Sequence, residues 1–177
     1  GRVAEAVGTG TAAPAGLPLR VVSFNIAYAI EIDRAIEVLR ETEPLREPDV
    51  VALQEMDAPG TERIARALGM NAVYFPSGVH PKHERDFGTA VLSPWPLEEP
   101  RKLVLPHGAR VSGLRRSAVS AVVVRGAQRV RVYSLHLPSP LRRGVVRVAG
   151  AANAVNLLPR AFIDGDPFFA SAFVTNL

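Results

Sequence analysis

The chain of 177 residues, 47% of them hydrophobic and 21% charged, has the length and apolar content of a single domain with a sizeable core, which excludes a disordered chain. Its formal charge of +4, from 21 basic and 17 acidic residues, is a mild excess that suits anionic partners without requiring nucleic acid. With no cysteine, disulfides, thiolate zinc sites and cysteine nucleophiles are excluded, and any metal must be held by oxygen and nitrogen.

Residues 1–18, rich in Ala, Gly, Thr and Pro, carry no apolar periodicity and read as a flexible leader to a domain spanning 19–177. No apolar run approaches membrane-spanning length. The start at Gly1 rather than Met reads as a processed, trimmed or partial chain, and the expectation is a soluble protein, cytoplasmic or exported, with no retained signal peptide. Nothing in the sequence signals an oligomer.

Leu19 to Ile26 is short, β-branched and apolar, as expected of a central strand covered on both faces. Ile32, Ala35, Ile36 and Leu39 then recur at helical spacing until Pro44 and Pro48 end the pattern, which predicts a helix over 31–43. Asp49 to Glu55 reads as a second strand, and Thr61 to Leu68 as a helix capped by Thr61 and stopped by Gly69. Pro76 to Asp86 reads as a loop. Strands follow at short spacing over 88–93, 97–105, 116–125 and 129–137, with a hairpin at Arg125 to Arg129. Arg142 to Leu158 suits a helix, and Ala161 to Asp164 one more strand.

Polar residues close several apolar strands: Asn25, Gln54 with Glu55, His136, and then Asp164 and Asp166. Strand ends are where α/β folds place chemistry, and a carboxylate delivered there can hold a hard cation such as Mg²⁺. Taken singly, Glu55 is equally well a loop residue, Asn25 a turn cap and His136 a hydrogen-bonded structural imidazole. His136 shares the parity of Val130, Val132 and Ser134, which turns it towards the core side of its strand.

Four segments occur in order at plausible spacing: Ser23-Phe24-Asn25-Ile26, Leu53-Gln54-Glu55, Phe87 to Ser93, and Ser134-Leu135-His136-Leu137. Over 19–137 the chain resembles the endonuclease/exonuclease/phosphatase family of DNase I-like phosphoester hydrolases. The resemblance implies a four-layer α/β/β/α sandwich, two mixed β-sheets flanked by helices. It implies metal-dependent hydrolysis of a phosphoester by in-line water attack, with Mg²⁺, or alternatively Mn²⁺, held by Glu55 with support from Asn25. His136 would lie at the scissile phosphate, and Asp166 would orient the attacking water. Whether the substrate is a nucleic acid, a phospholipid or an inositol phosphate is left open.

The second half departs from the family pattern. Where the family has Gly-Asp-x-Asn, the chain reads Gly165-Asp166-Pro167-Phe168, and the tail to Leu177 contains no His or acid to supply a closing Asp-His pair. The expectation is therefore a fold incomplete in its second half, and the alternative reading is an impaired or partial relative acting as a binding module. Weaker candidates for substrate contact are His83 and Arg85, in the loop that also holds His80, and Arg142 and Arg147 after His136; a solvated basic face is the plainer account of each.

Overall fold

The computed structural model describes residues 2–4, 19–80, 83–108, 115–136 and 170–176. Among the described residues, nine strands and two α-helices appear in chain order: β1 (Arg2–Ala4), β2 (Val21–Asn25), α1 (Ile32–Glu41), β3 (Val50–Met56), α2 (Ala58–Leu68), β4 (Asn71–Val79), β5 (Asp86–Ser93), β6 (Leu97–Gly108), β7 (Arg115–Arg125), β8 (Gln128–His136) and β9 (Ala170–Asn176). The first sheet has the order β1-β4-β5-β3-β2, with β2 parallel to β3 and the other pairs antiparallel. The second, β6-β7-β8-β9, is antiparallel throughout its described strands rather than mixed.

Alternation along the strands explains why the two sheets stack. On one face of the first sheet, Val51, Leu53 and Met56 meet Ile32, Ala35 and Leu39 of α1 and Ile64 and Ala65 of α2. On the other, Val50, Val73 and Val91 meet Val119, Ala121, Val123, Val130 and Val132 of the second sheet. Burial of each Val, Leu, Ile or Met side chain among these contributes about 2 kcal/mol. Helix layer, sheet and sheet are thus three of the four expected layers. The helix expected over 142–158 and the strand over 161–164 lie outside the described residues.

Several expectations change. Strand β2, expected as a central strand, stands last in its sheet among the described residues, and its neighbour β3 pairs on the far side with β5 in antiparallel fashion. Residues 71–75 are strand, and β4 runs through Pro76 and Gly78 with a register shift between them, so punctuation that reads as loop is absorbed as an irregular strand. Helix α2 begins three residues early: Asp57 Oδ1 accepts from Gly60 N at 2.8 Å as the N-cap, and Pro59 sits in the first turn, where its missing N–H costs nothing. Thr61 instead donates to the Asp57 carbonyl at 2.7 Å. Gly69 closes α2 at φ +65°, as its type predicts. Two stretches also gain strands, with Arg2–Ala4 pairing with β4 and Ala170–Asn176 with β8.

At the end of the sandwich where β3 begins and β7 ends, a polar clasp joins the sheets. Buried Arg125 reaches the Asp49 carboxylate at 3.3 Å and donates to Gln128 Oε1 at 2.8 Å. Asp49 also accepts from the Trp95 indole N–H at 3.2 Å and from Arg20 N at 2.8 Å.

Candidate active site

At the opposite end of the same two strands, parallel pairing of β2 with β3 places Asn25 and Glu55 side by side. His136, the last residue of β8, comes to the same end because β8 packs across β3: Ser134 Oγ donates to the Leu53 carbonyl at 3.0 Å, and Gln54 Nε2 donates to Ser134 Oγ at 3.2 Å. Gln54 is therefore a stitch between the sheets directly behind the site.

Glu55 is the extra residue of a β-bulge, since Gln54 pairs with Thr89 and Met56 with Gly88 while Glu55 pairs with neither. Its φ is +58°, a left-handed conformation that costs a non-glycine residue about 1–2 kcal/mol. The bulge lets both Gln54 and Glu55 depart from strict alternation and aims the carboxylate at the strand-end cluster. Asn25 Nδ2 donates to Glu55 Oε1 at 3.2 Å, and Tyr28 N donates to Oε2 at 3.2 Å. Tyr28 can do this because Ala27, Tyr28 and Ala29 all take positive φ (42°, 64° and 54°), a left-handed turn steadied by Ala27 N donating to Asn25 Oδ1 at 2.9 Å.

The electrostatics follow from burial. Glu55 is 1% exposed, and burial pushes its carboxyl above the ordinary carboxylate value, against the Asn25 amide, the Arg116 charge and the Tyr28 amide, which pull it down. His136 Nε2 stands 3.7 Å from Glu55 Oε1, and Arg116 Nη1 stands 3.3 Å from His136 Nδ1. Burial first, and then the Arg116 charge, lower the His136 pKa to about 3. The imidazole is thus neutral near pH 7. Because a guanidinium can only donate, Nδ1 accepts and Nε2 carries the hydrogen, turned towards Glu55. Arg116 lies with its guanidinium carbon 4.8 Å above the Phe87 ring, and burial lowers its own pKa while Glu55 and Tyr28 oppose that.

Asn25, Glu55 and His136 are therefore brought together. His83 and Arg85 sit beside them on the β4–β5 connection: the half-buried His83 ring lies 4.9 Å from the rings of both Tyr28 and His80, while Arg85 pairs with Asp57 at 3.4 Å and donates to the Tyr28 carbonyl at 2.9 Å. Asp166, Arg142 and Arg147 lie outside the described residues, as does Asp164. Sequence reasoning missed Arg116 and Tyr28. Counting alternately from Val119, Ala121 and Val123 puts Arg116 on the other face of β7, so periodicity argues against it, and Tyr28 acts through its backbone, which any residue could supply.

A metal can be tested against this donor set. Among the described residues no group of three or more His, Cys, Asp or Glu side chains could hold one. A buried carboxylate whose oxygens meet N–H donors nevertheless suits Mg²⁺, which takes one or two carboxylates and keeps waters or substrate phosphate for its remaining positions; beside it, Asn25 turns its Nδ2 to Glu55, while its Oδ1 accepts from Ala27 N and keeps a second lone pair. Glu55 and Asn25 fit as part of such a shell.

The sequence profile of the endonuclease/exonuclease/phosphatase family matches residues 22–166 of this chain, and the chain belongs to that family. An endonuclease/exonuclease/phosphatase family protein from Leptotrichia buccalis superposes with a TM-score of 0.54 at 16% identity, over 70% of this chain and 57% of that one. A humanized TDP2 from D. rerio superposes with a TM-score of 0.50 at 20% identity, over 68% of this chain and 48% of that one. At these identities the likeness establishes the fold, and the chain spans about half the length of these relatives. No curated protein matches. No helix among the described residues is long and apolar enough to cross a membrane.

Proposed function

We propose that this chain hydrolyses a phosphoester with a divalent metal bound at Glu55, Mg²⁺ or Mn²⁺ being the hard cations suited to oxygen donors. The observation that carries the reading is the convergence on one buried carboxylate of Asn25, the Tyr28 N–H, His136 and Arg116 at the ends of β2, β3, β7 and β8. Membership of a hydrolase family supports it.

Glu55 and Asn25 would hold the cation, which when bound supplies Lewis-acid stabilisation of a phosphoryl oxygen. Arg116 leaves its buried Nε–H without an acceptor among the described residues, a donor available for a second phosphoryl oxygen. Neutral His136, with hydrogen on Nε2, would donate to charge developing at the phosphate. Asp166 would take the proton of the attacking water as the water oxygen bonds phosphorus and the ester P–O bond breaks. His83, Arg142 and Arg147 would meet more distant parts of the substrate.

Turnover of bis(4-nitrophenyl) phosphate with Mg²⁺, and its loss in Glu55→Ala, tests the proposal. Turnover that survives that change, or that needs no metal, sinks it. Weak or absent Mg²⁺ binding, together with no turnover, would favour the binding-module alternative.

A further inference from the structure

A chain of contacts outside the reacting cluster ends on Glu55. Asp57, two residues beyond it, uses one carboxylate oxygen to cap α2 through Gly60 N at 2.8 Å and offers the other to Arg85 Nη1 at 3.4 Å. Arg85 Nη2 then donates to the Tyr28 carbonyl at 2.9 Å, and the N–H of that same Tyr28 donates to Glu55 Oε2 at 3.2 Å. Four non-glycine residues with positive φ, namely Ala27, Tyr28, Ala29 and Glu55, meet across this last bond. A left-handed run of alanine and tyrosine is not held by its own preferences, so tertiary contacts must over-determine it.

We infer that Arg85 is a positioning residue for Glu55: its guanidinium fork ties the strained 27–29 turn to the α2 cap, and so fixes the backbone N–H that orients the carboxylate. The inference rests on the proposed role of Glu55. It replaces direct substrate contact as the account of Arg85, because both of its observed partners are protein acceptors. A planar fork can serve two acceptors at once, whereas a lysine ammonium on the same stem serves them poorly. Arg85 also sits in the β4–β5 connection, where His80 N donates to the Arg85 carbonyl at 2.9 Å and so anchors the backbone that carries the fork.

The test compares the full chain with Arg85→Ala, Arg85→Lys and Asp57→Asn, the last keeping a cap acceptor while removing the charge. Amide hydrogen exchange at Ala27, Tyr28 and Ala29 is followed against β7 and β8 as internal reference, alongside bis(4-nitrophenyl) phosphate kinetics with Mg²⁺. Arg85→Ala should raise exchange at Tyr28 by roughly tenfold while β7 and β8 stay protected, with Arg85→Lys and Asp57→Asn intermediate. It should lower kcat with KM unchanged. Unchanged Tyr28 exchange overturns the inference, and so does a raised KM with kcat retained, the signature of substrate contact. If the unmodified chain shows no turnover, the functional proposal fails while the exchange arm still decides the role of Arg85.

Discussion

Replacing Arg125 with methionine should cost stability without touching the site. Arg125 is 5% exposed and Asp49 is 18% exposed at its side chain, so the pair is largely withdrawn from water. Removing one partner of a buried pair costs about 3–5 kcal/mol; residual hydration of Asp49, with N–H bonds from Trp95 and Arg20 still in place, puts this case near 3 kcal/mol. The apolar stem of methionine keeps part of the packing. For a chain of this size that corresponds to a fall in Tm of about 6–12 °C, read by calorimetry or by circular dichroism at fixed scan rate. Asp49 precedes β3 and Glu55 lies near its end, about 20 Å along the strand, so exchange at Tyr28 should not change. A loss below about 1 kcal/mol would place Arg125 and Asp49 in the range of a screened surface pair and rule out a buried one.

Two further outcomes follow from the cluster itself. Because the native His136 pKa lies near 3, below its ordinary 6.5, the unfolded chain takes up the proton first as pH falls; the stabilising contribution is complete above 6.5 and is lost towards pH 3. In metal-free buffer the stability gap between the unmodified chain and His136→Gln should therefore shrink from pH 7 to pH 4 in urea titrations, and a constant or widening gap contradicts a buried neutral imidazole. Gly88→Ala would bring a Cβ to 2.3 Å from the Phe75 carbonyl oxygen and 2.8 Å from Pro76 Cα, forcing β4 and β5 apart beside the bulge. The expected cost is about 1–3 kcal/mol by urea denaturation, and a neutral effect would mean that the two strands have slack.

The strand ends were legible in the sequence because apolar runs stop at Asn25, Glu55 and His136, and a parallel β2–β3 pair needs only two such runs joined by a helix. What periodicity could not carry was the geometry that turns those residues into a cluster. Glutamate gives no sign of a left-handed bulge, and a turn of Ala27, Tyr28 and Ala29 contains no glycine or asparagine to announce positive φ. Arg116 hides for the opposite reason, since its parity points away from the site it reaches. Strand β4 was obscured by Pro76 and Gly78, tolerated through the register shift, and the antiparallel pairing of β3 with β5 is a long-range choice no local pattern records.

The proposed function turns on Glu55 as the carboxylate that holds the metal. A calorimetric Mg²⁺ titration of the full chain against Glu55→Gln, an isostere that keeps the bond to Tyr28 N but loses the charge, tests it most directly. Saturable binding by the unmodified chain and its loss in the variant are expected. Equal binding by both, or none by the unmodified chain, would contradict it.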